Sequence, residues 1–383
     1  MNFEFTEEQN YIRETIRNFS KNEIAPSSTE RDINGEFPEQ IIKKLGELGF
    51  MGMMVPAEWG GSELDTISYV TAIEEVSKVD ASVGVIMSVI NSLVCHVLNE
   101  RGNDYQKEKY LKNIASGKMI GSFCLSEPEA GSDATQQKTT AERDGDNYIL
   151  NGIKNWITNG TKSEVYIIQA VTDKSKSYKG ISTFIVDRNS KGLEIGKKED
   201  KMGIRSSDTC SLGLNSVKVP KENLLGNEGE GFKIAMDALN GGRIGIAAQA
   251  LGIAKGAYEA AVKYSTERKA FGTEISNFQA IQFKLAEMAT NIEAAELLTY
   301  KAAYKKDRNL KYAKDSAMAK LFASKIAVET TLEAIQIHGG YGYVREYSVE
   351  RYLRDAKVTE IYEGTSEIQK IIISREILKN FIN

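Results

Sequence analysis

The sequence predicts a mainly α-helical protein with a central β domain, in the order helices, strands, helices. Three observations lead there. Apolar residues recur at helical spacing towards both ends of the chain and at strand spacing between them. Only 5 of the 383 residues are proline, well under the usual ~5%, so long stretches contain no helix breaker. Ala-rich windows at 244–264 and 278–304 dominate the C-terminal part, and alanine is the strongest helix former.

Residues 1–120 read as a helical domain. Ile16, Phe19 and Ile24 fall on one face, followed by Ile41, Ile42, Leu45 and Leu48, then by Val70, Ile73 and Val76. Gly49, Gly52, Pro56 and the pair Gly60-Gly61 punctuate them. Residues 81–99 carry no charged side chain, a length close to the ~20 residues of a spanning helix. Ser82, Ser88, Asn91, Ser92, His96 and Asn99 interrupt the segment, so a buried core helix is expected and no membrane span. Residues 121–230 change to short β-rich runs. Asn151-Gly152 and Asn159-Gly160 flank a strand at 153–158 and predict hairpin turns, because both residue types tolerate positive φ. Residues 165–171 and 181–186 read as further strands. From 231 to 383 helix returns, and no repeat or low-complexity tract appears.

Composition excludes several functions. The 49 Lys+Arg against 53 Asp+Glu give a net charge of −4, which offers no basic footprint for a nucleic acid. Cys95, Cys124 and Cys210 lie too far apart for a CxxC pair, and an odd, sparse set fits buried thiols in a reducing compartment. His96 and His338 are too few for a histidine metal site, and no metal is expected. The N-terminal stretch is charged and amphipathic without the apolar run of a secretory signal and with no transit segment before the first helix, so a cytoplasmic, bacterial setting is expected, a mature mitochondrial chain being the alternative. No GxGxxG follows a strand, and neither GxxxxGK[ST] nor GxSxG occurs. The nearest glycine cluster, Gly226, Gly229 and Gly231, has the wrong order and two acidic residues that would repel a pyrophosphate.

Chemistry concentrates in a few segments. Phe123, Cys124, Leu125 and Ser126 lead through a Pro- and Gly-containing turn to Ser132 and Asp133. Such a turn offers hydroxyls and free N–H groups to a planar heterocycle, although a tight turn capped by Ser and Asp would read the same. Trp156, Ile157 and Thr158 set a flat ring two residues from a hydroxyl, on one face of the strand by alternation; a buried sheet-core Trp is the alternative. Asn240 to Arg243 opens an almost uncharged helical stretch, where the cation needs a carboxylate or a ligand anion. Arg268, Phe271 and Gly272 join two helices and suit either a phosphate clamp or a solvated loop. Gln336, Gly339 and Gly340 end a helix with more glycines than a C-cap explains. In Ile361-Tyr362-Glu363-Gly364-Thr365-Ser366-Glu367, one carboxylate stands between apolar neighbours and a bare peptide. Desolvation there would raise its pKa and suit it to act as a general base. The other reading is an N-cap at Thr365 or Ser366, with Glu363 merely near the helix start.

Taken together and in this order, these segments resemble the acyl-CoA dehydrogenase family of flavoenzymes over nearly the whole chain, the short-chain (butyryl-CoA) members most closely. The resemblance implies a helical N-terminal domain, a β-barrel middle domain and a C-terminal four-helix bundle, in a homotetramer built as a dimer of dimers with one FAD per subunit. It implies FAD contacts from Phe123, Cys124, Leu125, Ser126, Ser132, Trp156, Ile157 and Thr158, and from Thr365 and Glu367. Arg268, Phe271, Gln279, Gln336, Gly339 and Gly340 match positions facing the FAD of a neighbouring subunit. Asn240, Arg243, Gly364 and again Ser132 match substrate contacts, with Asn240 standing where many members have Asp. Glu363 matches the catalytic base.

Two departures narrow the implied substrate. Branched-chain and long-chain members place the base near Arg243, where this chain has Gly242. Glutaryl-CoA dehydrogenases place an arginine where this chain has Gly84. The resemblance therefore implies reversible conversion of butyryl-CoA to crotonyl-CoA, with Glu363 removing the α-proton and flavin taking the β-hydride. An electron-transferring flavoprotein would be the redox partner. The alternatives are another chain length or an acyl-CoA oxidase on the same fold.

Overall fold

The structure is a computed structural model and describes residues 4–382. Helix α1 (Glu7–Phe19) starts at a capping box, in which Gln9 N–H donates to Thr6 Oγ1 and Thr6 N–H donates to Gln9 Oε1, satisfying two otherwise orphaned donors. Helices α2 (Ala25–Asn34) and α3 (Glu39–Glu47) follow. Asp65 caps α4 (Thr66–Ser77), and Asp80 caps α5 (Ala81–Arg101) through the N–H groups of Ser82 and Val83. Helix α5, without a charged side chain over residues 81–99, is buried inside the protein, 94% of its apolar window being covered, as its interspersed polar residues predict. One of its segments, Val89–Cys95, winds as a π-helix, a feature frequent at functional sites.

The middle of the chain forms one sheet of eight strands: β1 (Gly121–Cys124), β2 (Thr140–Asp144), β3 (Asn147–Thr158), β4 (Val165–Val171), β5 (Ile181–Asp187), β6 (Leu193–Ile195), β7 (Thr209–Pro220) and β8 (Leu224–Leu225). Their order is β6-β7-β3-β2-β4-β5-β8, with β1 parallel to β4. The sheet curls strongly. Tyr148 on β3 and Phe184 on β5 have two strands between them in this order, yet their rings lie 4.9 Å apart in a core made by the sheet alone. Asn151-Gly152 does not make a turn. It lies within β3 opposite a bulge in β7, where β7 carries the extra residue with Ser216 at φ 54° and Gly152 faces it at φ 150°. The β2–β3 hairpin turns instead at residues 144–147. Asn159-Gly160 does end β3, and Asn159 stands in the left-handed region.

Three long helices follow: α6 (Gly231–Glu267), α7 (Gln279–Asp307) and α8 (Ala313–His338). A fourth helical position against α8 is shared by α9 (Val349–Val358) and α10 (Ser366–Ile382). The segment Asn240–Arg243 thus lies inside α6, nine residues past its start, rather than opening a helix. Sequence periodicity missed this because glycines at 241, 242 and 245 read as punctuation, each costing up to about 1 kcal/mol in a helix. Tertiary packing overrides that cost, since α6 is buried between the N-terminal helices and α8. Charged side chains join the parts of the chain: Arg354 pairs with Asp32 at 2.7 Å and Asp355 accepts the Ile204 N–H, while the buried Arg31–Asp80 pair at 2.6 Å ties the N-terminal helices together.

Candidate active site

Between α9 and α10 the chain turns over residues 359–365, held by Tyr362 N–H on Val358 O and Ser366 N–H on Glu360 O. Glu363 and Gly364 both adopt positive φ, 51° and 95°. For a glutamate this is a strained conformation that the surroundings must impose. It sends the carboxylate onto α6 at a bare glycine: a Cβ on Gly242 would lie 2.1 Å from Glu363 Oε2. Both carboxylate oxygens are closed to solvent and have no hydrogen-bond partner among the described residues. Burial pushes the carboxyl up to about 7, against the opposing fields of Lys320 and Arg243. No acceptor among the described residues takes the Glu363 backbone N–H.

The walls around it are well tied. Tyr362 hydroxyl donates to Gln249 Oε1, and Gln249 Nε2 donates to Ala81 O at 2.8 Å. Tyr69 and Ser88 hydroxyls share a 3.0 Å hydrogen bond, and Leu93 from the π-helical turn borders the Gly242 face. Arg243, only 4% exposed, donates to Asn240 Oδ1 at 2.6 Å while its Nε has no partner. Gln369 Oε1 is likewise buried and unpartnered. Orphaned buried polar atoms are rare in native folds; four of those among the described residues, on Glu363, Arg243 and Gln369, belong to this site. Thr365 accepts the Ile368 N–H at 3.4 Å, and Glu367 is exposed in the first turn of α10. The N-cap reading therefore holds for Thr365 and leaves Glu363 free.

The β-domain segments meet the helices through β1. Strand β1 packs on the π-helical turn of α5, with Gly121 against Val94. The side chains of Phe123 and Leu125 join the helical core, and Cys124 joins the sheet core. Ser126 is half-buried, its carbonyl accepting the Asn155 N–H at 2.8 Å, and Ser132 is exposed. Trp156 is neither a core residue nor part of a regular alternation. It sits in a bulge between Lys154 and Ile157, at φ 60°, and is 61% exposed. Ile157 is buried in the sheet core and Thr158 half-buried. A bulge re-aims a side chain, and this one presents a strained, uncovered indole.

A second group is gathered elsewhere. Arg268, Gly339 and Gly340 line a cleft of about 500 Å³ with Tyr264, His338 and Tyr341. Gln336 and Gln279 are exposed. Phe271 and Gly272 form the two-residue turn of a small hairpin, β9 (Lys269–Ala270) with β10 (Thr273–Glu274), both at positive φ. Such a turn suits Asn-Gly; here it displays a phenylalanine that is 97% exposed. Eighteen residues of α8 separate His338 from Lys320 beside Glu363, about 27 Å at the helical rise. Gly242, Arg243, Lys320 and Gln369 thus meet at Glu363 or its turn, and the Arg268 cleft lies at the far end of α8.

Four contributors escaped the sequence reading. Gly242 is the seat of the carboxylate. Lys320 and Gln369 hold the turn that carries it, as developed below. Lys154, fully buried, pairs with Glu127 at 2.8 Å and donates to Leu125 O and Gln137 Oε1. Burial alone would raise Glu127, but the Lys154 ammonium and the N–H groups of Lys138 and Thr139 outweigh it and hold the carboxylate ionised. This pair pins the 125–132 turn to β3. A signal existed, because Lys154 shares the inward phase of Tyr148 and Leu150 on β3.

A β domain between helical domains, with an isolated buried carboxylate at a break in the last helices, makes a closed site for proton transfer, and its relatives place the enzyme among the acyl-CoA-oxidising flavoproteins. Family models cover the chain in three parts: the acyl-CoA dehydrogenase N-terminal domain at residues 6–118, the middle domain at 122–217 and the C-terminal domain at 229–378. The chain belongs to the acyl-CoA dehydrogenase family, is an acyl-CoA dehydrogenase, and shares the family's cofactor, FAD. It is 48% identical to the short-chain specific acyl-CoA dehydrogenase of Clostridium acetobutylicum, over 99% of this chain and 100% of that one. The butyryl-CoA dehydrogenase structure from Megasphaera elsdenii superposes with a TM-score of 0.97 at 46% identity, covering 99% and 100%. A chain from the structural study of the electron-transferring flavoprotein of Acidaminococcus fermentans superposes at 0.98 with 51% identity, covering 99% and 100%. The residues present fit the cofactor. Trp156 and Phe271 are uncovered aromatic faces held in strained backbone, and a Cβ on Gly339 or Gly340 would meet nothing within 4 Å.

Proposed function

We propose that this enzyme dehydrogenates a short, straight, uncharged acyl-CoA, butyryl-CoA first, across its α and β carbons with Glu363 as the base. The observation that carries the proposal is the Glu363 carboxylate, buried, unpartnered and seated on Gly242. Its pKa near 7 matches a base that must take a proton at neutral pH and return one in the reverse direction. The unengaged Glu363 N–H is positioned to donate to the thioester carbonyl, stabilising the negative charge that develops as the α-proton leaves. That proton passes to a Glu363 carboxylate oxygen, and Arg243 and Lys320 balance the local charge. Bound FAD supplies the acceptor for the β-hydride, which leaves trans-2-enoyl-CoA as product. Trp156, Thr158 and the 123–132 turn would hold that cofactor against the β-domain side.

The substrate preference is supported by the short-chain and butyryl-CoA relatives and by Gly84. Glycine there supplies no cation to pair with a distal carboxylate, and a Cβ would lie 2.1 Å from Ser77 Oγ. Electron exchange with an electron-transferring flavoprotein is supported by the high likeness to the Acidaminococcus chain. The separation of the Arg268 cleft from Glu363 supports a multimer, proposed as a tetramer, in which one subunit serves its neighbour's cofactor. The test is an anaerobic titration of the holoenzyme with butyryl-CoA, which should bleach the flavin. Glu363→Gln should retain FAD and fold but lose about 10²–10⁴-fold in rate; near-parental turnover in that variant would refute the assignment. Rapid peroxide formation in air would indicate an oxidase instead.

A further inference from the structure

Lys320 is fully buried on α8 and has no carboxylate within 4.0 Å among the described residues. Its ammonium donates at 2.6 Å to the carbonyl of Gly364, the residue after the base. An unpaired buried cation is costly, and the other fully buried lysine, Lys154, is fully compensated by Glu127 and two further acceptors. Lys320 is therefore an exception that the packing alone does not require. From α10, Gln369 reaches the same turn: its Nε2 donates to Gly364 O at 2.8 Å and to Glu363 O at 3.4 Å. Two buried side chains from two helices thus grip the peptide that keeps Glu363 and Gly364 at positive φ.

We infer that Lys320 is a positioning residue for the reaction: it anchors the Gly364 carbonyl so that the Glu363 carboxylate lies on Gly242, and it supplies a counter-charge that favours the ionised carboxylate. This rests on Glu363 being the base. The groups facing that carboxylate are Lys320 from α8, Arg243 from α6, Tyr69 from α4 and the adjoining Tyr362. Glu360, Glu367 and Arg243 bear in turn on Lys320. Of these groups Lys320 and Arg243 are the cations, and Lys320 alone is bonded to the turn itself. Burial draws the Lys320 ammonium down to about 8, so both charges coexist in a window just above neutrality.

The test is the titration of the Glu363 carboxyl in the holoenzyme by infrared spectroscopy, its band identified by loss in Glu363→Gln, together with the pH profile of kcat/KM. Lys320→Met should move both the carboxyl midpoint and the acid limb upward by about one pH unit. Lys320→Arg, which keeps the charge, should bring both back towards the parent. If Lys320→Met does not fold, Lys320→Gln keeps a donor for Gly364 O without the charge and should show the same upward shift. A carboxyl midpoint unchanged in the charge-free variants overturns the inference. An active Glu363→Gln alongside a shifted midpoint would instead overturn the base and leave the positioning of the turn intact.

Discussion

Gly242→Ala separates the catalytic from the structural consequences of this site. The added methyl would sit 2.1 Å from Glu363 Oε2, and 3.0 Å from Glu363 Cδ and Leu93 Cδ2. Restoring ordinary contact moves the carboxylate by about 1.3 Å, since apolar and polar atoms settle near 3.4 Å or beyond. The carboxylate is the end of a flexible side chain, so it yields before the backbone of α6 does. A misplacement of about 1 Å costs on the order of 10²-fold in rate, or about 2.7 kcal/mol in the barrier. Alanine meanwhile favours a helix interior over glycine by about 1 kcal/mol. The variant should therefore keep or raise its melting temperature while kcat for butyryl-CoA falls about a hundredfold. Differential scanning calorimetry and anaerobic stopped-flow reduction of the flavin would measure the two effects. A rate within about threefold of the parent would refute the seating of Glu363 on Gly242, because mere tolerance of the methyl requires that the carboxylate lie elsewhere.

Other consequences follow from the same geometry. The Glu363 carboxyl rises from an ordinary 4.5 to about 7 on folding, so kcat/KM should climb as pH passes through about 7 and the base ionises. Its linkage has the opposite sign: the raised pKa favours the folded state at acid pH, and this stability is lost as pH rises from about 4.5 through about 7. Glu363→Gln should flatten that loss, as read from denaturant midpoints across the range. Lys154→Met strands Glu127 as a buried charge and should destabilise the protein by about 3–5 kcal/mol; unfolding in urea would measure it, and a loss below about 1 kcal/mol would mean that Glu127 simply takes a proton. Arg268→Ala should weaken FAD retention during gel filtration without changing the pH limb set by Glu363; tight retention would make Arg268 a loop cation only.

The helical zones, the β-rich middle and the burial of helix α5 were legible because each depends on neighbours in sequence. Ile16 and Ile24, or Val70, Ile73 and Val76, are buried where their periodicity puts them. Glu363, with Gly364 behind it, stood out for the same reason. Asn151-Gly152 misled because a glycine opposite a strand bulge uses the same backbone freedom as one in a turn, and only the β3–β7 register distinguishes them. Asn240 to Arg243 misled because glycines inside a buried helix look like punctuation until their packing partners are known. Trp156 departed from strand alternation because its bulge is set by pairing with β7.

What the sequence determined by itself was the order of the domains, the family and the identity of one carboxylate flanked by apolar residues. What only the tertiary structure decided was the chemical character of that carboxylate. Its seat comes from Gly242, 121 positions earlier in the chain, and its anchor from Lys320 on a separate helix. A pKa near 7 is the balance between desolvation and nearby cations. Both act through space, and residues this far apart in sequence meet only once the helices have packed.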